Sequence, residues 1–384
     1  MTPLRCLWAL ILLLFTVVFI SSCGNLTESE DSTTLTDQGS LISMTTDFYP
    51  VSFLEGAFAQ VDASVGNALS GAGMSPKYAV NQYNIIYYSL DESGNTIELS
   101  AKLLIPSFNQ NIDLVVFLHG STTLYTDAPT NTYADFSSYD GVDTSTIVTN
   151  ISDNTESILC TLLASEGKAI LMPDYLGFGA SEGLHPYIQA GTVAVNSLDA
   201  IRASLNLADS SAVSFTLSED YILTGYSQGG YSTMATHKEL INNSSEYTDI
   251  TSIKGVIPGS PPCNLSIVMA NEMINNSSYI FPAFAAYAMM SYNDTYNLYN
   301  DYYEPFGDAY QEIPDYFDGT NSLSAINELL SAANPPISMF SDAFQTEITL
   351  AFADYYADSV LDTATDTGFY EAIIENDVYN YDPG

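Results

Sequence analysis

The run Tyr221-Ile222-Leu223-Thr224-Gly225-Tyr226-Ser227-Gln228-Gly229-Gly230-Tyr231 sets a serine between an apolar, β-prone lead-in and closely spaced glycines. A serine hydroxyl is a weak nucleophile until a base takes its proton. Gly-x-Ser-x-Gly is the spacing of a sharp strand-to-helix turn, in which the serine backbone is cramped and its neighbours two away must lack side chains. Such a turn lifts the serine Oγ above the sheet edge, at the positive end of the following helix. The next backbone N–H, that of Gln228, then faces the place where an oxyanion would form. The pattern therefore predicts Ser227 as a nucleophile, Gly225 and Gly229 as elbow glycines and Gln228 as an oxyanion donor. The bland alternative is a Gly/Ser turn that fits by chance, and the flanking strand and helix patterns argue against it.

A nucleophile of this kind needs a rigid scaffold, and the surrounding sequence supplies strand and helix signals in alternation. Tyr83–Leu90 and Thr96–Ile105 flank Asp91-Glu92-Ser93-Gly94-Asn95, a hairpin signal. The residues from Asp113 to His119 form a continuous apolar run of buried-strand type. Helix is predicted over 155–166, strand over 168–173, and a long helix over 190–205 with Ala194, Leu198, Ile201 and Leu205 on one stripe. The elbow strand follows, then a helix to about Asn242 and a short strand over 253–258. This order is that of an α/β protein with a mostly parallel sheet and crossover helices.

From Asn264 to about Asn376 strand signals vanish, and helices are predicted over 267–273, 282–292, 324–332 and 340–357. The segment reads as an all-helical cap over the active-site end. Tyr and Phe are dense between Tyr279 and Phe317; most are expected in the cap core, with a few at a pocket mouth. A helix is also predicted within 48–72, where Phe53, Ala57 and Val61 recur at four-residue spacing. The expected organisation is a leader at 1–22, a flexible tether at 23–46, a core at 47–263, the cap at 264–376 and an outgoing segment at 377–384.

Three further motifs accompany the elbow. Leu118-His119-Gly120-Ser121 ends one buried strand, Pro173-Asp174-Tyr175-Leu176-Gly177-Phe178-Gly179-Ala180-Ser181 ends the next, and His185-Pro186-Tyr187 follows. Together with Ser227 they resemble the α/β-hydrolase fold and, within it, the secretory-lipase-like esterases, over about Lys77 to the end. The resemblance implies carboxylic-ester hydrolysis through an acyl-serine. It also implies a second oxyanion N–H from the His-Gly loop, here that of Ser121 or Gly120, and a tight turn at Gly177 and Gly179. A serine peptidase on the same fold is the alternative enzyme, and a non-catalytic protein binding a small apolar ligand is the alternative outside enzymes. The expected partner is a small-molecule or lipid ester.

The base is the weak point. In this fold the chain order is Ser, then Asp or Glu, then His. The sequence holds three histidines: His119 and His185 precede the serine, and His237 follows it by ten residues on one helix. That spacing puts His237 roughly 15 Å along the axis, outside hydrogen-bond reach. The ending Asn376-Asp377-Val378-Tyr379-Asn380-Tyr381-Asp382-Pro383-Gly384 resembles the lead from the cap into the seventh strand. The expectation is a chain lacking the last two strands with their acid and base. A truncated reading of a longer gene is preferred to a pseudoenzyme, and the chain alone is expected to be inactive.

Composition bounds the rest. The formal charge is −39, from 46 acidic residues against 7 Lys plus Arg, over 384 residues. Such a surface repels phosphates and excludes nucleic acid as partner. No His-Glu-x-x-His, zinc-spaced Cys pair or phosphate loop occurs, and Asp315–Gly319 lacks calcium-loop spacing, so no metal or cofactor is expected. Near the N-terminus, Arg5 precedes an apolar run over Trp8–Ile20, which is followed by Ser21-Ser22-Cys23-Gly24. The run is short for a bilayer span. Its end resembles a bacterial lipobox, which implies lipidation at Cys23 and a membrane anchor in the cell envelope; an ordinary secretory leader is the alternative. Cys160 and Cys263 are too far apart in sequence to mark a disulfide framework.

Overall fold

The computed structural model describes residues 38–64, 66–108, 111–132, 155–250, 252–361 and 368–382. The leader, Cys23 and most of the expected tether lie outside them. Seven strands make one sheet: β1 Leu41–Tyr49, β2 Val80–Leu90, β3 Thr96–Pro106, β4 Asn111–Leu118, β5 Ala169–Pro173, β6 Thr216–Tyr226 and β7 Ser252–Gly259. Their spatial order is β1-β2-β3-β5-β4-β6-β7. The β2–β3 hairpin turns at the Asp91–Asn95 signal, where Asp91 Oδ1 accepts the amides of Ser93 and Asn95. Neighbours from β1 to β5 in this order run antiparallel, and β5, β4, β6 and β7 run parallel. The parallel half is the one that holds the elbow.

One boundary differs from the expectation. The tether was expected to run to residue 46, yet Leu41–Tyr49 pairs with β2 as an edge strand. It is polar because most of its residues are solvent-facing, so it carries little of the alternation by which a half-buried strand announces itself.

Helices cover both faces of the sheet. The helices before the cap are α1 Val51–Ser64, α2 Ala68–Gly71, α3 Thr155–Ser165, α4 Ala190–Asp209 and α5 Gln228–Asn242. Side chains alternate across a strand, and β5 shows the consequence. Ala169 and Leu171 join the core that includes Leu198 and Ile201 of α4 and Tyr231 and Ala235 of α5. Ile170 and Met172 join the core made with Phe53, Leu54, Ala57 and Val61 of α1 and Cys160 of α3. The stripe read for α4 is buried at Ala194, Leu198 and Ile201, and Leu205 packs at its margin.

The cap contains α6 Ala270–Asn275, α7 Ala283–Tyr296, α8 Leu323–Leu329, α9 Asp342–Asp358 and α10 Phe369–Glu375. Its centre is aromatic: Phe306 meets Phe340, Phe340 meets Phe344, and Phe344 meets Phe369. Asp377 closes it, with one carboxylate oxygen accepting the amides of Leu265 (2.5 Å) and Ser266 (3.1 Å) and the other the Ser266 hydroxyl. The segment after α10 lies against α5, where Lys238 donates to the Asp377 carbonyl and Asn380.

Candidate active site

The register lines up the carboxyl ends of three parallel strands. Leu118 of β4 sits opposite Gly225 of β6, and Gly225 opposite Pro258 of β7. In open α/β sheets the crevice outside these strand ends is where ligands bind. Ser227 occupies the junction between β6 and α5, at φ 56° and ψ −118°. That is a costly conformation for a residue with a side chain, and it persists only where the surroundings enforce it. Here the Ser227 amide donates to the Gly259 carbonyl (2.8 Å), and its carbonyl accepts from Tyr231 (3.0 Å).

The glycines are dictated by space. A Cβ on Gly225 would lie 2.5 Å from the carbonyl carbon of Gly229, and one on Gly229 would lie 2.7 Å from that of Leu118. Gly230 is equally constrained, since its Cβ would come 2.5 Å from the Gly259 oxygen. All three clashes are with backbone, that of the first turn of α5 for Gly225 and that of neighbouring strand ends for Gly229 and Gly230. The elbow therefore uses a third glycine beyond the two expected.

Ser227 opens on a cavity of about 320 Å³. Its walls are apolar: Pro261, Pro262, Leu265, Met269 and Met273 on one side, and Phe284, Ala285, Ala288 and Tyr292 of α7 on another. The spacing of those α7 residues sets them on one face of the helix, while Ala283, Ala286, Met289 and Met290 are buried in the core. Of the aromatic stretch, Tyr279, Phe284 and Tyr292 reach the cavity wall. Tyr287 instead stacks on Tyr187, and Phe281 on Phe284.

The His-Gly loop follows β4. The Gly120 amide already donates to Oε2 of Glu156 in the first turn of α3, at 3.3 Å. Burial raises the pKa of this carboxyl, against the opposing influence of His119 and of the Gly120 amide itself. The Ser121 hydroxyl pairs with the Tyr187 hydroxyl at 2.9 Å.

Among the described residues none of the three histidines makes a hydrogen bond to Ser227. His119 sets Nδ1 at 2.8 Å from the Gly120 carbonyl and Nε2 at 3.2 Å from that of Asp174, stacked on Tyr175. His237 places Nδ1 at 2.8 Å from the Tyr381 hydroxyl. His185 is buried; its Nδ1 lies 2.8 Å from the Leu176 carbonyl and its Nε2 2.6 Å from Nε2 of Gln228. A carbonyl only accepts, so His185 Nδ1 carries the proton and Nε2 presents a lone pair to the Gln228 amide. Burial lowers the His185 pKa to about 3, beyond what the Leu176 bond restores, so the ring is neutral near pH 7. The Gly-x-Ser-x-Gly pattern bears on the Gln228 backbone amide alone and gives no signal for its side chain.

Cys160 and Cys263 are free thiols. Among the described residues no group of His, Cys, Asp and Glu is arranged to hold a metal ion. No helix among them is long and apolar enough to cross a membrane.

A family model for secretory lipases matches residues 141–329, which spans the elbow and the first half of the cap. The chain has the α/β-hydrolase fold and is similar to the secretory lipases over those residues. Its fold is shared with LipA of Xanthomonas oryzae, a rice cell wall degrading esterase, at 21% identity and TM-score 0.68; the likeness covers 90% of this chain and 81% of that one. A Legionella pneumophila protein classed provisionally as a hydrolase is similar at 23% identity and TM-score 0.66, over 89% of this chain and 80% of that one. At these identities the two structures speak to fold alone. No curated protein matches the sequence. The lipase and esterase class of the family agrees with the resemblance read from Leu118–Ser121, Pro173–Ser181 and the elbow.

Proposed function

We propose that this secretory-lipase-like hydrolase cleaves carboxylic esters with an apolar acyl group, with Ser227 as the nucleophile. The observation that carries the reading is the strained serine, held at a strand-to-helix turn and opening on an apolar cavity. Ser227 Oγ attacks the ester carbonyl carbon, and the carbonyl oxygen takes the developing charge. The backbone amides of Gln228, first in α5, and Ser121 hold that oxygen. Gly120 is the poorer choice for the second donor because its amide is engaged by Glu156. The amino end of α5 adds its dipole. The C–O bond to the alcohol breaks, the alcohol leaves with a proton, and water later hydrolyses the acyl-serine.

The cavity is proposed as the acyl site. Each methylene it buries contributes about 0.8 kcal/mol, or roughly fourfold in kcat/KM. Acylation by p-nitrophenyl esters should therefore quicken from acetate towards longer chains until the cavity is full. Ala288→Trp, which fills it from α7, should erase the gain for long chains while acetate reacts within about threefold of wild type. An unchanged length profile would place the acyl group elsewhere.

A second reading, a non-catalytic protein that binds a small apolar ligand, is favoured by the histidines, since all three make their recorded bonds away from Ser227. Within the hydrolase reading the same observation supports slow turnover by this chain. For localisation we propose an envelope lipoprotein anchored at Cys23. Cys23→Ala should shift the expressed protein from membrane to soluble fraction, and unchanged partitioning would remove the anchor from the account.

A further inference from the structure

The three residues His185-Pro186-Tyr187, between β5 and α4, touch both of the residues proposed to donate to the oxyanion. His185 Nε2 accepts the side-chain amide of Gln228 at 2.6 Å, and the Tyr187 hydroxyl bonds the Ser121 hydroxyl at 2.9 Å. We propose that this strap is a positioning element for the oxyanion hole, with His185 fixing Gln228 and Tyr187 fixing Ser121. The inference rests on the acyl-serine reading of Ser227. Neither residue is assigned a chemical step; each acts through the donor it holds.

The strap is built to be rigid. The His185 carbonyl accepts the Tyr187 amide at 2.7 Å, which folds the strap tightly on itself. His185 is anchored behind by Leu176 and packed among Tyr175, Phe178 and Tyr287. The Tyr187 ring lies flat on Tyr287 of α7, with centroids 4.3 Å apart and planes 7° apart. The next residue, Ile188, has its carbonyl held by the hydroxyls of Tyr231 in α5 and Tyr292 in α7. The elbow helix and the cap thus grip one end of the strap, and the strap grips the two donors.

The physical need is plain. The two amides come from loops after different strands, and an oxyanion hole works only if its donors are placed before charge develops. The His-Gly loop is held on either side of Ser121, by the Tyr175 hydroxyl on the His119 carbonyl (3.3 Å) and the Thr123 hydroxyl on the Asn321 carbonyl (2.7 Å). The Gly120 amide has only a 3.3 Å bond to Glu156, long for a bond to a carboxylate, and at Ser121 itself the Tyr187 hydroxyl is the side-chain tie. Gln228 shows the strap's selectivity: its Nε2 is bonded while its buried Oε1 has no partner among the described residues. The amide is therefore held through its donor end, and His185 is the acceptor that does it. Because the His185 lone pair is committed, a protonated ring could not accept this bond. Burial opposes that protonation.

The test uses the full chain and reads acylation, not turnover. p-Nitrophenyl butyrate is mixed with enzyme; Ser227 Oγ bonds the acyl carbon, the ester C–O bond breaks, p-nitrophenolate leaves and the serine proton passes to water. The saturating rate and the half-saturating concentration are measured separately, with thermal midpoints alongside. Tyr187→Phe keeps the ring and its stack but loses the hydroxyl. It should lower the saturating rate about 10-fold to 100-fold, a share of the 10²–10³ that one oxyanion donor contributes, with half-saturation moved less than twofold. Ser121→Ala keeps the backbone amide and should cost a similar factor. The double variant should be no slower than the worse single one, because both remove the same bond. His185→Leu should slow acylation likewise, and His185→Asn, which can donate to Leu176 and accept from Gln228, should recover part of the loss. If His185→Leu does not fold, the Tyr187 and Ser121 cycle decides alone. Multiplicative losses in that cycle, or a Tyr187→Phe rate equal to wild type with Ser227 still acylated, would overturn the strap and leave the nucleophile standing. A wild-type chain never acylated at Ser227 would overturn the hydrolase reading, and the strap with it.

Discussion

Gly229→Ala is expected to cripple the fold as well as the site. The added Cβ would fall onto the Leu118 carbonyl, 2.7 Å from its carbon and closer still to its oxygen. Both partners are backbone of packed elements, so no flexible side chain can swing aside. Overpacking of a well-packed interior costs about 1–3 kcal/mol and occasionally more, and a clash with paired strand backbone belongs at the upper end. A loss of about 3 kcal/mol or more should lower the thermal midpoint by several degrees. Gly191→Ala is the matched control. Gly191 is the second residue of α4, with open space where a Cβ would go, and alanine is the better helix former, by about 1 kcal/mol at interior positions. Its midpoint should stay level or rise. Equal behaviour of the two variants in a melting scan would mean the elbow is looser than its geometry states.

Steady-state hydrolysis by this chain should be weak and should still depend on Ser227. With His119 held against two carbonyls, His185 locked to Leu176 and Gln228, and His237 bonded to Tyr381, no recorded ring contact offers the serine a base. Enzymes that lose a member of a Ser-His-Asp set retain about 10³–10⁴ over water through binding and the oxyanion hole. Turnover of p-nitrophenyl butyrate should fall in that range, and Ser227→Ala should remove it. Rapid turnover dependent on Ser227 would show that one of these histidines leaves its present partners during the reaction, with His119 the first to test because its loop carries Ser121.

Much of this was legible in the sequence because it is local. A strand running up to the serine, a helix starting at Gln228 and Ser227 between them follow from apolar runs and glycine spacing, and the elbow lies where they meet. The cap was legible for the same reason, as helical periodicity without strand signals. Strand β1 was not, because an exposed edge strand such as Leu41–Tyr49 carries little hydrophobic pattern. The bond between His185 and Gln228 links residues 43 apart, and that between Ser121 and Tyr187 residues 66 apart. Pairings at such distance depend on how the His-Gly loop, the strap and the elbow meet above the sheet. The role of Gly230 was hidden likewise, since the atom that excludes a side chain there belongs to Gly259 on another strand.

The central claim, that Ser227 is the acyl acceptor, is tested most directly by intact-mass and peptide analysis after exposure to p-nitrophenyl butyrate. With a strained, cavity-facing serine and all three histidines bonded elsewhere, deacylation should be slow and the protein should accumulate a single butyryl group. Fragmentation should place that group on Ser227, and Ser227→Ala should remain unmodified under the same conditions. A butyryl group spread over lysines and tyrosines at equal levels in both proteins, with none on Ser227, would contradict the account.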